Sequence, residues 1–205
     1  GSTATFTVVL DGQPTSDVVL TVASADTGEA TVSPSTLTFT NANWNATQTV
    51  TITGVDDSVD DGDQNTMVTI AVDDDNSDNA FDGLADQTVT ATTTDNDTAA
   101  YTLSTTTASV TEAGSTATFT VVLDTQPTSN VVFTVASADT DEATVSPTPL
   151  TFTTGNWNTP QTVTVTGVDD SIDDGNQDTT ITIAVDDDNS DNAFDGLADQ
   201  TVTAT

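Results

Sequence analysis

The sequence predicts an all-β chain built as two tandem Ig-like antiparallel β-sandwiches of about seven strands each. Three observations carry that expectation. GSTATFTVVLD at Gly1 recurs at Gly114, a period of 113 residues, and the ungapped copies share 76 of 92 aligned positions. Apolar residues alternate with Thr at the two-residue period of a strand with one buried face. The segments between these runs are rich in Asp, Asn, Gly and Pro, and no segment has a helical period with caps.

Taken in order, TATFTVVL puts Ala4, Phe6, Val8 and Leu10 on one face and Thr3, Thr5 and Thr7 on the other. VVLTVAS, EATVS and TLTFT follow as strands. TQTVTITG sets Val50 and Ile52 opposite Thr49, Thr51 and Thr53, and TMVTIAV turns Val68, Ile70 and Val72 inward. QTVTATT closes the copy. Between the copies, YTLS and ASVTE supply the first strand of the second module. Differences between the copies point the same way. Leu20/Phe133, Ile52/Val165 and Val68/Ile181 are apolar exchanges expected of inward positions, whereas Met67/Thr180 suits an outward one. The modules are expected at 1–97, without its first strand, and 98–205, without its terminal acidic tail, with a linker at about 95–100. The phase of the repeat reads as an excerpt from a longer tandem array.

Composition narrows the function. Of 205 residues, 33 are acidic and none is Lys, Arg or His, a formal charge of -33. Catalysis through His or Lys has no residues to use, and no Arg is present to clamp a phosphate. Nucleic acids and anionic membranes would be repelled, because binding them requires cationic side chains. Cys is also absent, which removes disulfides and the usual zinc sites. Hydrophobic content of 34% is low enough to raise disorder, but the strict alternation argues against it. No apolar run reaches the length of a membrane span and no signal peptide is seen. No enzyme is expected. Carboxylate pairs could serve a glycosidase, but here they fall in turns without an aromatic cleft.

All but Glu29, Glu112 and Glu142 of the acids are Asp, the usual oxygen donor to calcium. If consecutive strands run up and down, alternate loops share a pole. One pole then gathers Glu112, the loop with Asp26 and Glu29 (Asp139, Asp141 and Glu142 in the second copy), and the run at Asp56, Asp57, Asp60, Asp61 and Asp63 (Asp169, Asp170, Asp173 and Asp174). Asp95, Asn96 and Asp97 join it. Two carboxylates ~4 Å apart repel by about 4 kcal/mol at an effective dielectric of ~20. A cluster without cations therefore needs a divalent ion, takes up protons, or spreads. The expected ligands are Asp26, Glu29, Asp56, Asp57, Asp95, Asn96, Asp97, Glu112, Asp139, Asp141, Glu142, Asp169 and Asp170, and the expected ion is Ca²⁺. At the other pole, DDDNSDNAFDG carries Asp73, Asp74, Asp75, Asp78 and Asp82; it resembles half an EF-hand without its Gly and Glu, and turn formation and metal binding stay open there. Trp44 and Trp157 could stack on sugars, but bracing a turn against the end of the sandwich is the plainer role.

ASVTEAGSTATFTVVL, then TVTVTGVDDSIDDG, then QTVTATTTDND resemble the Calx-beta domain, a calcium-binding Ig-like sandwich. With LTFTTGNWNTPQTVTVTGVDD, the phrasing is similar to tandem repeats of very large bacterial surface adhesins, of the RTX-adhesin extender type. The resemblance implies calcium at one pole, held by Glu112, by Asp26 and Asp139, and by Asp95 and Asp97. The loop carrying Asp26 is shorter than the family's, and the terminal run is Asp-Asn-Asp rather than three Asp. The implied function is a calcium-rigidified spacer of a secreted, extracellular adhesin, in contact with neighbouring repeats of its own polypeptide and projecting a distal binding domain. A calcium-dependent carbohydrate-binding module is one alternative. Another is a filament or surface-layer subunit that uses the incomplete edge of the first repeat for strand addition.

Overall fold

A computed structural model describes residues 1–169, 171 and 175–205. The chain divides into two compact sandwiches, the first formed by Gly1–Asp57 with Asp61–Asp95 and the second by Ser58–Asp60 with Asn96–Thr205. The short segment belongs to the second because Gln126 N donates to Ser58 O (2.7 Å) and Ala99 N donates to Asp60 Oδ2 (2.7 Å).

The first sandwich contains β1 (Thr3–Val8), β2 (Val18–Ser24), β3 (Ala30–Ser33), β4 (Thr36–Phe39), β5 (Gln48–Gly54), β6 (Gln64–Val72) and β7 (Gln87–Thr93). They form two antiparallel sheets, β1-β5-β3 and β4-β2-β6-β7. Register follows the alternation. Phe6 faces Val50 and Ala4 faces Ile52, so the apolar members of both strands turn to one side together. Val18, Phe39, Val50 and Val68 are fully enclosed between the sheets.

The second sandwich contains β8 (Tyr101–Leu103), β9 (Thr107–Ala108), β10 (Thr116–Leu123), β11 (Val131–Ser137), β12 (Ala143–Ser146), β13 (Leu150–Phe152), β14 (Gln161–Gly167), β15 (Thr179–Val185) and β16 (Gln200–Ala204). Its sheets are β12-β14-β10-β8 and β13-β11-β15-β16-β9, antiparallel except for the β9–β16 pair. The chain is thus an all-β protein of two Ig-like sandwiches in sequence. Phe133 packs edge-on against Phe152 with ring centroids 5.9 Å apart, a contact that Leu20 cannot make in the first copy.

The exchanged positions behave as their chemistry requires. Leu20, Ile52, Val68 and their counterparts are buried, while Met67 is 51% exposed. The NWN segments are turns in which Asn43 Oδ1 accepts from Thr40 N (2.6 Å), a bond repeated by Asn156 and Thr153. Trp44 and Trp157 then pack against the core, and their carbonyls accept from Leu10 N and Leu123 N. Tryptophans held in this way are partly buried and brace the end of the sandwich. One expected strand is shortened. Of ASVTE, Ala108 lies in β9, and further bonds run from Thr205 N to Ala108 O and from Val110 N to Thr205 O. The chain then turns at Thr111–Gly114, where Gly114 takes a positive φ of 82°.

Candidate metal centre

In the first sandwich the turn after β2 is tied by Asp26, whose Oδ1 accepts from Gly28 N (2.8 Å) and whose carbonyl accepts from Ala30 N. This Asx-type turn delivers Glu29 to the start of β3. The Glu29 carbonyl accepts from Val55 N (2.8 Å) and from Thr93 Oγ1 (2.9 Å), which fastens the residue between the ends of β5 and β7. Asp95 follows β7 directly. Its Oδ2 accepts from Asp61 N (3.1 Å) and Gly62 N (2.8 Å), and its own amide donates to Asp63 Oδ1 (3.1 Å). Gly62 has a φ of +74°, which lets the loop curl around that carboxylate.

The electrostatic result is legible at Glu29. Its carboxyl is held above the ordinary value of 4.5, first by burial and then by the negative charges of Asp61, Asp57, Asp26 and Asp95. Four expected ligands, Asp26, Glu29, Asp57 and Asp95, thus share one field, together with Asp61. Asp56 is exposed at the same loop. Among the described residues no three carboxylates converge as a finished metal cage.

The second sandwich places Glu112 and Glu142 in the wall of one open cavity of about 590 Å³, with Asn176, Gln177, Thr179 and Thr205. Asp139 Oδ1 accepts from Asp141 N (3.0 Å), and Asp139 N donates to Thr179 Oγ1 (3.0 Å). These two acids stabilise the turn beside the cavity and do not line it. Asp169 is exposed. Asp170, Asp173 and Asp174 lie outside the described residues. Asn96 and Asp97 fall within the second sandwich, whereas Asp95 falls within the first.

No family model and no curated protein matches the chain. Among solved structures, it is similar to domains 4 and 5 of the S-layer protein SbsC, 22% identical over 91% of this chain and 69% of that one, with a TM-score of 0.43. CBD12 from CALX1.2 is 12% identical, covering 89% of this chain and 73% of its own, at a TM-score of 0.38. WR4, a C. elegans MSP family member, is 12% identical over 51% of this chain and 94% of its own, at 0.37.

The opposite loop uses its acids differently. Asp78 Oδ2 accepts from Thr15 N (2.6 Å), Thr15 Oγ1 (2.7 Å) and Ser16 N (3.0 Å), and its Oδ1 accepts from Ala80 N (3.0 Å). Asp191 repeats the arrangement with Thr128, Ser129 and Ala193. Both carboxyls are held below the usual carboxylate range. For Asp78 the Ala80 amide leads, followed by Thr15 and Ser16; for Asp191 burial opposes the shift, but bonds from Thr128, Ala193 and Ser129 outweigh it. Asp73 Oδ2 accepts from Asn76 Nδ2 (2.9 Å) across the short 3-10 turn Asp74–Asn76. Asp78, Asp191 and Asp73 therefore staple loops, while Asp82 Oδ1 is shielded from solvent with no hydrogen-bond partner.

Among the described residues three threonines, Thr66, Thr125 and Thr179, are buried, and the sequence singled out none of them. Thr66 and Thr179 are 4% and 5% exposed, and Thr179 serves the loop that carries Asp139. The signal was present, since Thr66 occupies an inward position in the alternation that continues with Val68 and Ile70.

Proposed function

We propose that the two sandwiches are calcium-rigidified spacer modules of a secreted bacterial tandem-repeat adhesin, extending a distal binding domain from the cell surface. The observation that carries this reading is the field at Glu29, created by Asp26, Asp57, Asp61 and Asp95 in a chain with no cationic side chain. The donor set is all oxygen and flexible, which suits the six to eight ligands of Ca²⁺ better than the rigid octahedron of Mg²⁺. In the first sandwich the ion would be held by Glu29 with Asp26, Asp57 and Asp95, and in the second by Glu112 and Glu142 with acids of the neighbouring loops. Bound calcium supplies only charge neutralisation. The protein's own residues do the rest: Asp26 closes the turn that presents Glu29, and Thr93 holds that turn to the end of β7.

Extracellular modules of this type bind calcium with dissociation constants of about 10⁻⁴ to 10⁻³ M. Occupancy at ~100 times the dissociation constant adds about 2.7 kcal/mol to stability. Calorimetric calcium titration, read with melting in calcium and in EDTA at fixed ionic strength, tests the proposal. Heat release, a raised melting temperature and a longer particle in solution scattering are expected. Unchanged melting and dimensions overturn it.

A further inference from the structure

The turns that join β4 to β5 and β13 to β14 have the same frame but differ in the residue that follows it. In the first sandwich Asn43 closes the turn from within. Its Oδ1 accepts from Thr40 N (2.6 Å) and Thr40 Oγ1 (3.0 Å), and its carbonyl accepts from Ala46 N (2.9 Å). Trp44 packs on the core, and its carbonyl accepts from Leu10 N (3.2 Å). Gln13 Nε2 donates to Asn41 O (2.9 Å), which ties the turn to the loop after β1. From this fixed base Asn45, Ala46 and Thr47 emerge exposed. Among the described residues no hydrogen bond occupies the side chain of Asn45 or of Thr47.

Asn45-Ala46-Thr47 is the Asn-X-Thr pattern in which an asparagine side-chain nitrogen on a surface loop accepts a sugar, the hydroxyl two residues on being part of what the transferase reads. The second sandwich supplies a natural comparison. Asn156 closes its turn by the same bonds to Thr153, and Asn158, Thr159 and Pro160 are again exposed. Pro160 stands where Thr47 does, so Asn158 has the setting without the hydroxyl. A second Asn-X-Thr occurs at Asn96-Asp97-Thr98, where Asp95 and Asp97 flank the asparagine. Sugar donors are phosphate esters, and carboxylates on both sides repel them. Residues 30–55, which surround Asn45 in the chain, include no acid.

We propose that Asn45 is the acceptor of an N-linked sugar, transferred by a glycosyltransferase from a donor in which the sugar is joined to phosphate. Asn45 Nδ2 attacks the anomeric carbon and a C–N bond forms. The bond from that carbon to the phosphate oxygen breaks, the phosphate group leaves with the electron pair, and the proton from Nδ2 passes to a base of the transferase. Nothing is oxidised or reduced. The site is separate from the carboxylate field at Glu29. Val55, just past the end of β5, bonds the Glu29 carbonyl, whereas Asn45 precedes the start of β5, a strand of seven residues spanning roughly 20 Å. A sugar on Asn45 leaves the calcium response unchanged, so the outcome for one reading does not decide the other.

The test incubates the intact chain with a soluble asparagine-specific glucosyltransferase and uridine diphosphate glucose. Mass spectrometry of chymotryptic peptides then locates the hexose, since a chain without Lys or Arg has no tryptic site. A single hexose on Asn45 is expected. Asn45→Gln and Thr47→Ala should lose it with melting unchanged, and Thr47→Ser should keep it. Pro160→Thr should gain a second hexose on Asn158, a result that no loss of folding can imitate. No hexose on the intact chain, hexose on Asn96 or Asn158 in place of Asn45, or undiminished labelling of Thr47→Ala would each overturn the proposal.

Discussion

Replacing Tyr101 by Phe removes one oxygen from the second sandwich and leaves the ring, which lies 4.7 Å from Phe133 between centroids, in place. Tyr101 is 5% exposed, so water cannot readily substitute for the hydroxyl. Gln200 N loses its acceptor, and the Ile183 and Ala198 carbonyls lose a shared donor. A buried polar group left unsatisfied costs about 1–3 kcal/mol. The carbonyls each retain a second lone pair for other bonds, so the amide dominates, and the total is about 2–3 kcal/mol. For a module of this size that corresponds to a fall of about 10 °C in melting temperature. The assay is built into the sequence, since each sandwich has one tryptophan, Trp44 or Trp157. In a Trp44→Phe background, fluorescence reports the second sandwich alone, and the converse background reports the first. A loss below about 2 °C in the second sandwich, or an equal loss in the first, would refute the reasoning that β8 is anchored through this hydroxyl.

Three further outcomes follow from the same geometry. Gly167→Ala should cost about 1–3 kcal/mol, because its Cβ meets the Thr111 carbonyl, whereas at Gly54 the nearest atom is Thr93 Cγ2 at 3.5 Å and the change should be small; denaturant melts of both variants decide this. Asp78→Ala should release the loop at Thr15 and Ser16 and speed amide exchange there, while Asp74→Asn should not. The Asp78 carboxyl is held below its ordinary 3.8, so its contribution is complete above that value and lost as pH falls beneath it, as an acid melt can follow. Glu29 has the opposite sign. Its value is raised above 4.5, so calcium-free stability is greater below that pH and declines as the group ionises, and Glu29→Gln should raise melting in EDTA at pH 7 while weakening the calcium response.

The strand map was legible because alternation, turn residues and a duplicated sequence all point to one fold. Val50 and Ile52 could only face inward opposite a row of threonines, and they do. The acidic pole was legible as a set of loops, but the division of labour among its acids was not. Asp78 and Asp82 share the run DDDNSDNAFDG, yet Asp78 is spent on three residues' amides and one hydroxyl while Asp82 Oδ1 has no partner. Nothing local separates them, since the amides that capture Asp78 include those of Thr15 and Ser16, more than sixty residues away in the chain.

By itself the sequence determined the all-β class, the two copies, and a chemistry limited to carboxylates, because composition and period act residue by residue. Only the tertiary structure decided which carboxylates feel one another and which are spent on stapling loops. Both depend on what the loops and strands of distant segments bring within a few ångströms, and neither period nor composition encodes that distance.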